Sequence, residues 1–150
     1  MNPEERQAAT FGIFDGAVSV IGFVFALVVH HSPSAAIAIG GLGGAISATV
    51  SMGTGQYESA DGPWHKRLVN ASFMGLFTLG GSLVPVWPFF ALPHSKSLAL
   101  VLAGIGCLGV AGFIGWEKRK GVKGYVAAYL TLIGAAGVTL LVVSLIPQSA

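Results

Sequence analysis

FGIFDGAVSVIGFVFALVV, residues 11–29, decides the fold. One charged side chain, Asp15, interrupts nineteen otherwise uncharged positions. A helix crosses the hydrocarbon core with about 20 mostly apolar residues, so this segment is long enough to span. The whole chain agrees with it. Of 150 residues, 53% are hydrophobic and 9% are charged. A soluble domain would carry roughly 25% charged residues, and this deficit leaves too little polar surface to hold the chain in water. The opening MNPEERQAAT has no basic leader region, and no small-residue cleavage pattern follows the first apolar run. The first segment is therefore expected to stay and span.

Working outward, four more apolar runs follow, giving spans at about 11–29, 35–57, 68–92, 98–116 and 125–146. Asn2 is placed to cap the first helix, with Pro3 in its first turn and Glu4 and Glu5 at its positive end. That helix is expected to begin before the membrane. The connections HHSPS, ESADGPWHKR, PHSKS and EKRKGVKG are too short to hold a soluble domain. The expected fold is a single all-α membrane domain of five transmembrane helices over residues 1–150. With five spans, Arg6, Lys66, Arg67, Lys118, Arg119, Lys120 and Lys123 fall on one side and Lys96 on the other. The positive-inside rule then makes the N-terminus cytoplasmic and the C-terminus exoplasmic or luminal.

Small residues recur at helical spacing: Gly12 with Gly16, Gly40 with Gly44, and Gly106, Gly109, Gly112 and Gly115. In lipid they let backbones approach and gain dispersion contacts, within one bundle or between subunits. Five helices form a thin bundle that can hardly enclose a polar path alone, so a homodimer with a path along its seam is physically attractive. Pro85 and Pro88 lie inside the third span and are expected to bend it.

Polar groups at membrane depth carry the functional reading. A carboxylate such as Asp15 costs roughly 2.5–3.5 kcal/mol near the centre of a spanning helix and less near an end. Either it is solvated at the interface, or it faces a polar cavity and binds a cation or proton. The end of the second span, MGTGQYES at residues 52–59, is expected at a similar depth in an antiparallel neighbour. Met52 and Gln56 share a helix face, with Ser59 continuing the stripe and Glu58 rotated roughly 120° from Met52. Carboxylate, amide and thioether together favour a soft transition metal over magnesium or calcium. Asn70 and Ser72 open the third span on the same side and either line the cavity mouth or cap the helix.

Other chemistries find little support. There is no catalytic triad, no Cys/His zinc spacing and no basic-aromatic pattern for nucleic acid. GGLGG lies inside an apolar span, so it is neither a phosphate loop nor a dinucleotide fingerprint. An enzyme and a prosthetic group are not expected.

Three stretches resemble the vacuolar iron transporter family. FGIFDGAVSVIGFVFAL at 11–27 resembles its first-span DG-(I/V)-V-S motif. GAISATVSMGTGQYES at 44–59 is similar to its second-span SMAAGEYVS pattern. GGSLVPVWPFF at 80–90 is similar to its third-span G-x-L-I-P-L-x-P-F pattern. The resemblance implies a homodimeric five-helix transporter moving Fe2+, and often Mn2+, out of the cytosol against protons. The family's first-span Asp falls on Asp15 and its second-span Met on Met52, both in the metal path. Its second-span Glu falls on Gln56, where this sequence departs, with Glu58 nearby as a compensating carboxylate. The junction ADGPWHKR replaces the Glu- and Met-rich cytoplasmic domain of iron-transporting members.

The leading expectation is thus a divalent-metal transporter using Asp15, Met52, Gln56 and Glu58. It sits in the plasma or inner membrane of a bacterium, or in a vacuolar or other organelle membrane of a eukaryote. The alternatives are a non-transporting membrane subunit that docks a soluble metal-binding partner, and a transporter of another cation.

Overall fold

The computed structural model describes residues 1–117 and 121–145, which form five helices and no strands. They are α1 (Pro3–Val29), α2 (Ser34–Ser59), α3 (Trp64–Ala91), α4 (Lys96–Glu117) and α5 (Val122–Ser144). All five are long and apolar enough to cross a membrane. The chain is an all-helical, five-span integral membrane protein. Lys118, Arg119, Lys120 and Ile146, used above to place the fourth loop and the last span, lie outside the described residues.

Helix ends follow the local chemistry. At α1, the Glu5 amide donates to Asn2 Oδ1 at 2.8 Å and the Asn2 amide donates to Glu5 Oε2 at 2.8 Å, a reciprocal capping box. Pro3 occupies the first turn, where its missing N–H leaves nothing unsatisfied. Between α2 and α3 the chain turns at Gly62, whose φ of 106° suits glycine because it lacks a Cβ. α3 continues through Pro85 and Pro88, both buried, without a break in the helix. Each proline frees a carbonyl one turn back, which is tolerated where neighbouring helices cover it.

α3 is the hub, with its largest interfaces to α1 and α2. The α1–α3 seam is built from backbone against backbone. A Cβ on Gly12 would lie 2.6 Å from the Met74 carbonyl oxygen, and one on Gly16 would run into that of Thr78. The Gly12/Gly16 pair therefore packs inside one protomer, the first of the two roles its spacing allowed. Phe89, Ile21, Ile37, Ile114, Val24 and Val86 fill the centre. Large apolar side chains such as Ile39, Leu76, Ile105 and Leu130 point outward, where lipid receives them.

The two ends differ chemically. Lys96 Nζ donates to the Ser32 carbonyl at 2.9 Å, so the α1–α2 and α3–α4 loops share one end. The opposite end gathers the start of α1, the end of α2, the start of α3 and the end of α4. There the Arg6 guanidinium grips the Glu117 carboxylate with two hydrogen bonds, Nη2 to Oε2 at 2.8 Å. Arg6, Lys66, Arg67 and Lys123 stand at this end, and it is called the basic end below.

Candidate functional site

α1 presents two unlike faces. Gly12 and Gly16 are buried on α3, while Phe11, Asp15 and Ser19, spaced four apart, form a stripe turned away from that seam. Phe11 is 53% exposed and Ser19 is exposed. Asp15 is partly buried and makes no hydrogen bond or ion pair with the described residues. It is a partly buried carboxylate in the first spanning helix, next to the glycine that packs on α3.

The helix register fixes its depth. Gly12 meets Met74 and Thr78, and Gly16 meets Thr78 and Ser82, so α1 and α3 run parallel and Asp15 stands level with about residue 79. Gly53 meets Ala71 and Gly75, and Gly75 meets Thr49, so α2 runs antiparallel and Met52 stands level with about residue 74. Five residues of helical rise separate the two, roughly 7 Å. The expectation of a shared depth is corrected: within one protomer Met52 lies level with Thr10, and Asp15 is deeper by more than a turn. The offset follows from two separate registers on α3: Gly12 and Gly16 fix α1 against Met74, Thr78 and Ser82, and Gly53 and Thr49 fix α2 against Ala71 and Gly75.

Gln56 lies a further turn toward the basic end. It lines a cleft of ≈ 460 Å³ between α1, α2 and α3 with Glu4, Gln7, Phe11, Asp61 and Asn70. Asn70 is buried at 8% exposure and donates from Nδ2 to Glu4 Oε2 at 3.2 Å. Asp61 has no hydrogen bond or ion pair among the described residues. Of the bases close in sequence, Arg67 is committed elsewhere: its Nε donates to the Tyr57 carbonyl at 2.8 Å and its guanidinium lies 4.3 Å from the Tyr57 ring centroid. A second cavity of ≈ 680 Å³ lies on the other flank of the Gln7–Phe11 ridge, toward Arg6, Phe14, Ile114 and Glu117.

Several expected site residues do not join this arrangement. Glu58 is exposed and lines none of these cavities, because its rotation from the Met52–Gln56 face carries it outward. Ser59 is exposed, with its hydroxyl 3.5 Å from the Gln56 carbonyl, an end-of-helix role. Ser72 is exposed and its hydroxyl donates to the Leu68 carbonyl at 2.8 Å, so it is not at a cavity mouth. Asn70 does line the cleft. Glu4, Gln7, Asp61 and Met74 were missed as lining residues. Glu4 looks like a helix-dipole residue until α3 is placed beside it. The pairing was available in principle, because the loop alternation already put Glu4, Asp61 and Asn70 on one side.

Among the described residues, no three His, Cys, Asp or Glu side chains converge as a metal cage would require. No protein-family model, curated protein or solved structure matches the chain.

Proposed function

We propose that the chain is a divalent transition-metal transporter that moves Fe2+ or Mn2+ out of the cytosol, with proton antiport as the coupling. One observation carries the reading: the Asp15 carboxylate, inside a spanning helix, has no partner among the described residues. An uncompensated carboxylate at this depth costs kilocalories and by default marks an ion path. A permeating cation compensates it transiently, and a proton does so on the return.

The depth offset makes the path sequential. Gln56, Met52 and Asp15 form three stations spaced by roughly 6 and 7 Å along the bundle axis. The amide receives a hydrated ion, the thioether favours a softer ion over magnesium, and the carboxylate holds it deepest. In this reading the basic end faces the cytosol, the side that the positive-inside rule favours for Lys and Arg. A second copy covers the outward stripe of Phe11, Asp15 and Ser19, so that the path runs along a homodimer seam instead of against lipid.

The test is Mn2+ uptake into proteoliposomes under an imposed pH gradient. Wild type is expected to accumulate the ion and Asp15→Ala to fall to the protein-free background. Equal flux from the two rejects the assignment. A second reading, a membrane subunit that docks a soluble metal-binding partner, is favoured by the separation of Asp15 from Met52. It predicts a stoichiometric partner on copurification from native membranes and no flux from the purified chain.

A further inference from the structure

The α1–α3 seam repeats one unit twice. In the first, Gly12 faces the Met74 carbonyl, and a Cβ there would lie 2.6 Å from that oxygen and 3.0 Å from Thr78 Oγ1. In the second, one turn on, Gly16 faces the Thr78 carbonyl at closer range still, and a Cβ there would lie 2.8 Å from Ser82 Oγ. Each unit is a glycine, a main-chain oxygen and the hydroxyl four residues after that oxygen. Thr78 and Ser82 are both 0% exposed.

The two hydroxyls fare differently. Thr78 Oγ1 donates to the Met74 carbonyl at 2.7 Å. Thr49, Ser72, Thr131 and Thr139 close the same bond onto the carbonyl one turn back. Ser82 does not: its hydroxyl is buried and has no partner among the described residues. Its acceptor by the same pattern is the Thr78 carbonyl, whose second lone pair the helix ladder leaves free. Gly16 presses on that oxygen more closely than Gly12 presses on the one before it. The Gly16 main chain and the Ser82 hydroxyl therefore compete for one carbonyl, and here the glycine holds it. A buried hydroxyl without an acceptor is destabilising, so the close approach is opposed. Just beyond, Pro85 has no N–H for the Gly81 carbonyl, which leaves α3 easier to bend at the tight end of the seam.

We infer that the α1–α3 seam is a two-position switch. In the docked position, the one described above, Gly16 lies on the Thr78 carbonyl and Ser82 has no partner. In the withdrawn position α1 backs off at Gly16 to the spacing that Gly12 already has, and Ser82 Oγ donates to the Thr78 carbonyl. Docking gains main-chain contact and loses one hydrogen bond, and withdrawal does the reverse. Terms of similar size and opposite sign keep both positions accessible. Helix shifts of about 1–2 Å are the usual scale of such transitions. Asp15 is the covalent neighbour of Gly16, so its carboxylate moves with the switch. The use of that movement to pass an ion rests on the transport reading; the switch itself does not.

The experiment is a thermal-unfolding cycle in detergent on the full-length chain: wild type, Ser82→Ala, Gly16→Ala and the double variant. Ser82→Ala is expected to raise the wild-type midpoint by about 2–4 °C, because it removes a hydroxyl that the docked seam leaves unpartnered. Gly16→Ala adds a Cβ that holds α1 off the Thr78 carbonyl and lets Ser82 bond. In that background Ser82→Ala is expected to lower the midpoint instead. A fall on Ser82→Ala in the wild-type background, or the same change in both backgrounds, overturns the switch. A second measurement needs only the milder variant. Hydrogen exchange of the α1 amides across residues 11–19 is expected to slow about three- to tenfold in Ser82→Ala, because α1 then spends less time away from α3. Unchanged or faster exchange overturns the switch even where Gly16→Ala does not fold. Mn2+ uptake by wild type separates the two readings. Reversal of sign without uptake keeps the switch and rejects transport, and uptake without reversal does the opposite.

Discussion

The two faces of α1 answer the membrane in opposite ways. Toward α3 the helix has removed its side chains: Gly12 and Gly16 bring main chains together, and the interface gains dispersion contact with almost no side-chain entropy to lose. Away from α3 the same two turns carry Phe11, Asp15 and Ser19, of which the carboxylate has no partner among the described residues. One face packs main chain on main chain and holds the fold, at the cost of a buried Ser82 hydroxyl that has no hydrogen-bond partner among the described residues. The other carries a polar cost that the fold does not need. That contrast is the main physical ground for placing function on the second face.

The largest expected effect comes from breaking the packed face. Gly16→Leu drives a side chain into the Thr78 carbonyl and the Ser82 hydroxyl. Overpacking typically costs 1–3 kcal/mol, and backbone leaves no flexible side chain to yield, so about 3 kcal/mol is expected. Thermal unfolding in detergent reads it as a large drop in midpoint. A midpoint equal to wild type contradicts the seam.

The open face is sharpened by cross-linking. Ser19→Cys adds a thiol to the outward stripe, while the native Cys107 is 1% exposed and inaccessible. An α1–α1 seam predicts a disulfide-linked dimer in membranes under mild oxidation. A chain that stays monomeric at Ser19→Cys and also at Phe11→Cys removes the proposed partner copy from this face. The smallest effect belongs to Glu117→Gln. Its partnership with Arg6 is solvent-facing on the arginine side, where water screens the pair. A thermal midpoint within a few degrees of wild type is expected, and a drop as large as that of Gly16→Leu contradicts the ranking.

Most of the architecture was legible because its signals are local. Five apolar runs, the Asn2–Glu5 cap and the turn residues each report on a few neighbouring positions. The start of α1 at Pro3 followed from Asn2, Pro3, Glu4 and Glu5. The site was less legible because it depends on register between helices. Met52 and Gln56 share a face by periodicity, but nothing in their own sequence says how far α2 slides against α3. That offset is set by where Gly53 meets Ala71 and Gly75, and where Gly12 and Gly16 meet Met74, Thr78 and Ser82. The same gap hid Glu4 from Asn70, 66 positions away in sequence. Residue type and span did not separate Ser72 from Asn70 either: two positions along a helix place them on different sides, and the Ser72 hydroxyl donates to the Leu68 carbonyl.

The most direct measurement pairs stability with flux on the same preparations of wild type and Asp15→Asn, an exchange that keeps shape and deletes charge. If the carboxylate serves passage of a cation and not the fold, the variant melts at or above the wild-type temperature while Mn2+ uptake collapses to background. Undiminished uptake, or a fall in midpoint that accompanies the lost uptake, contradicts the account.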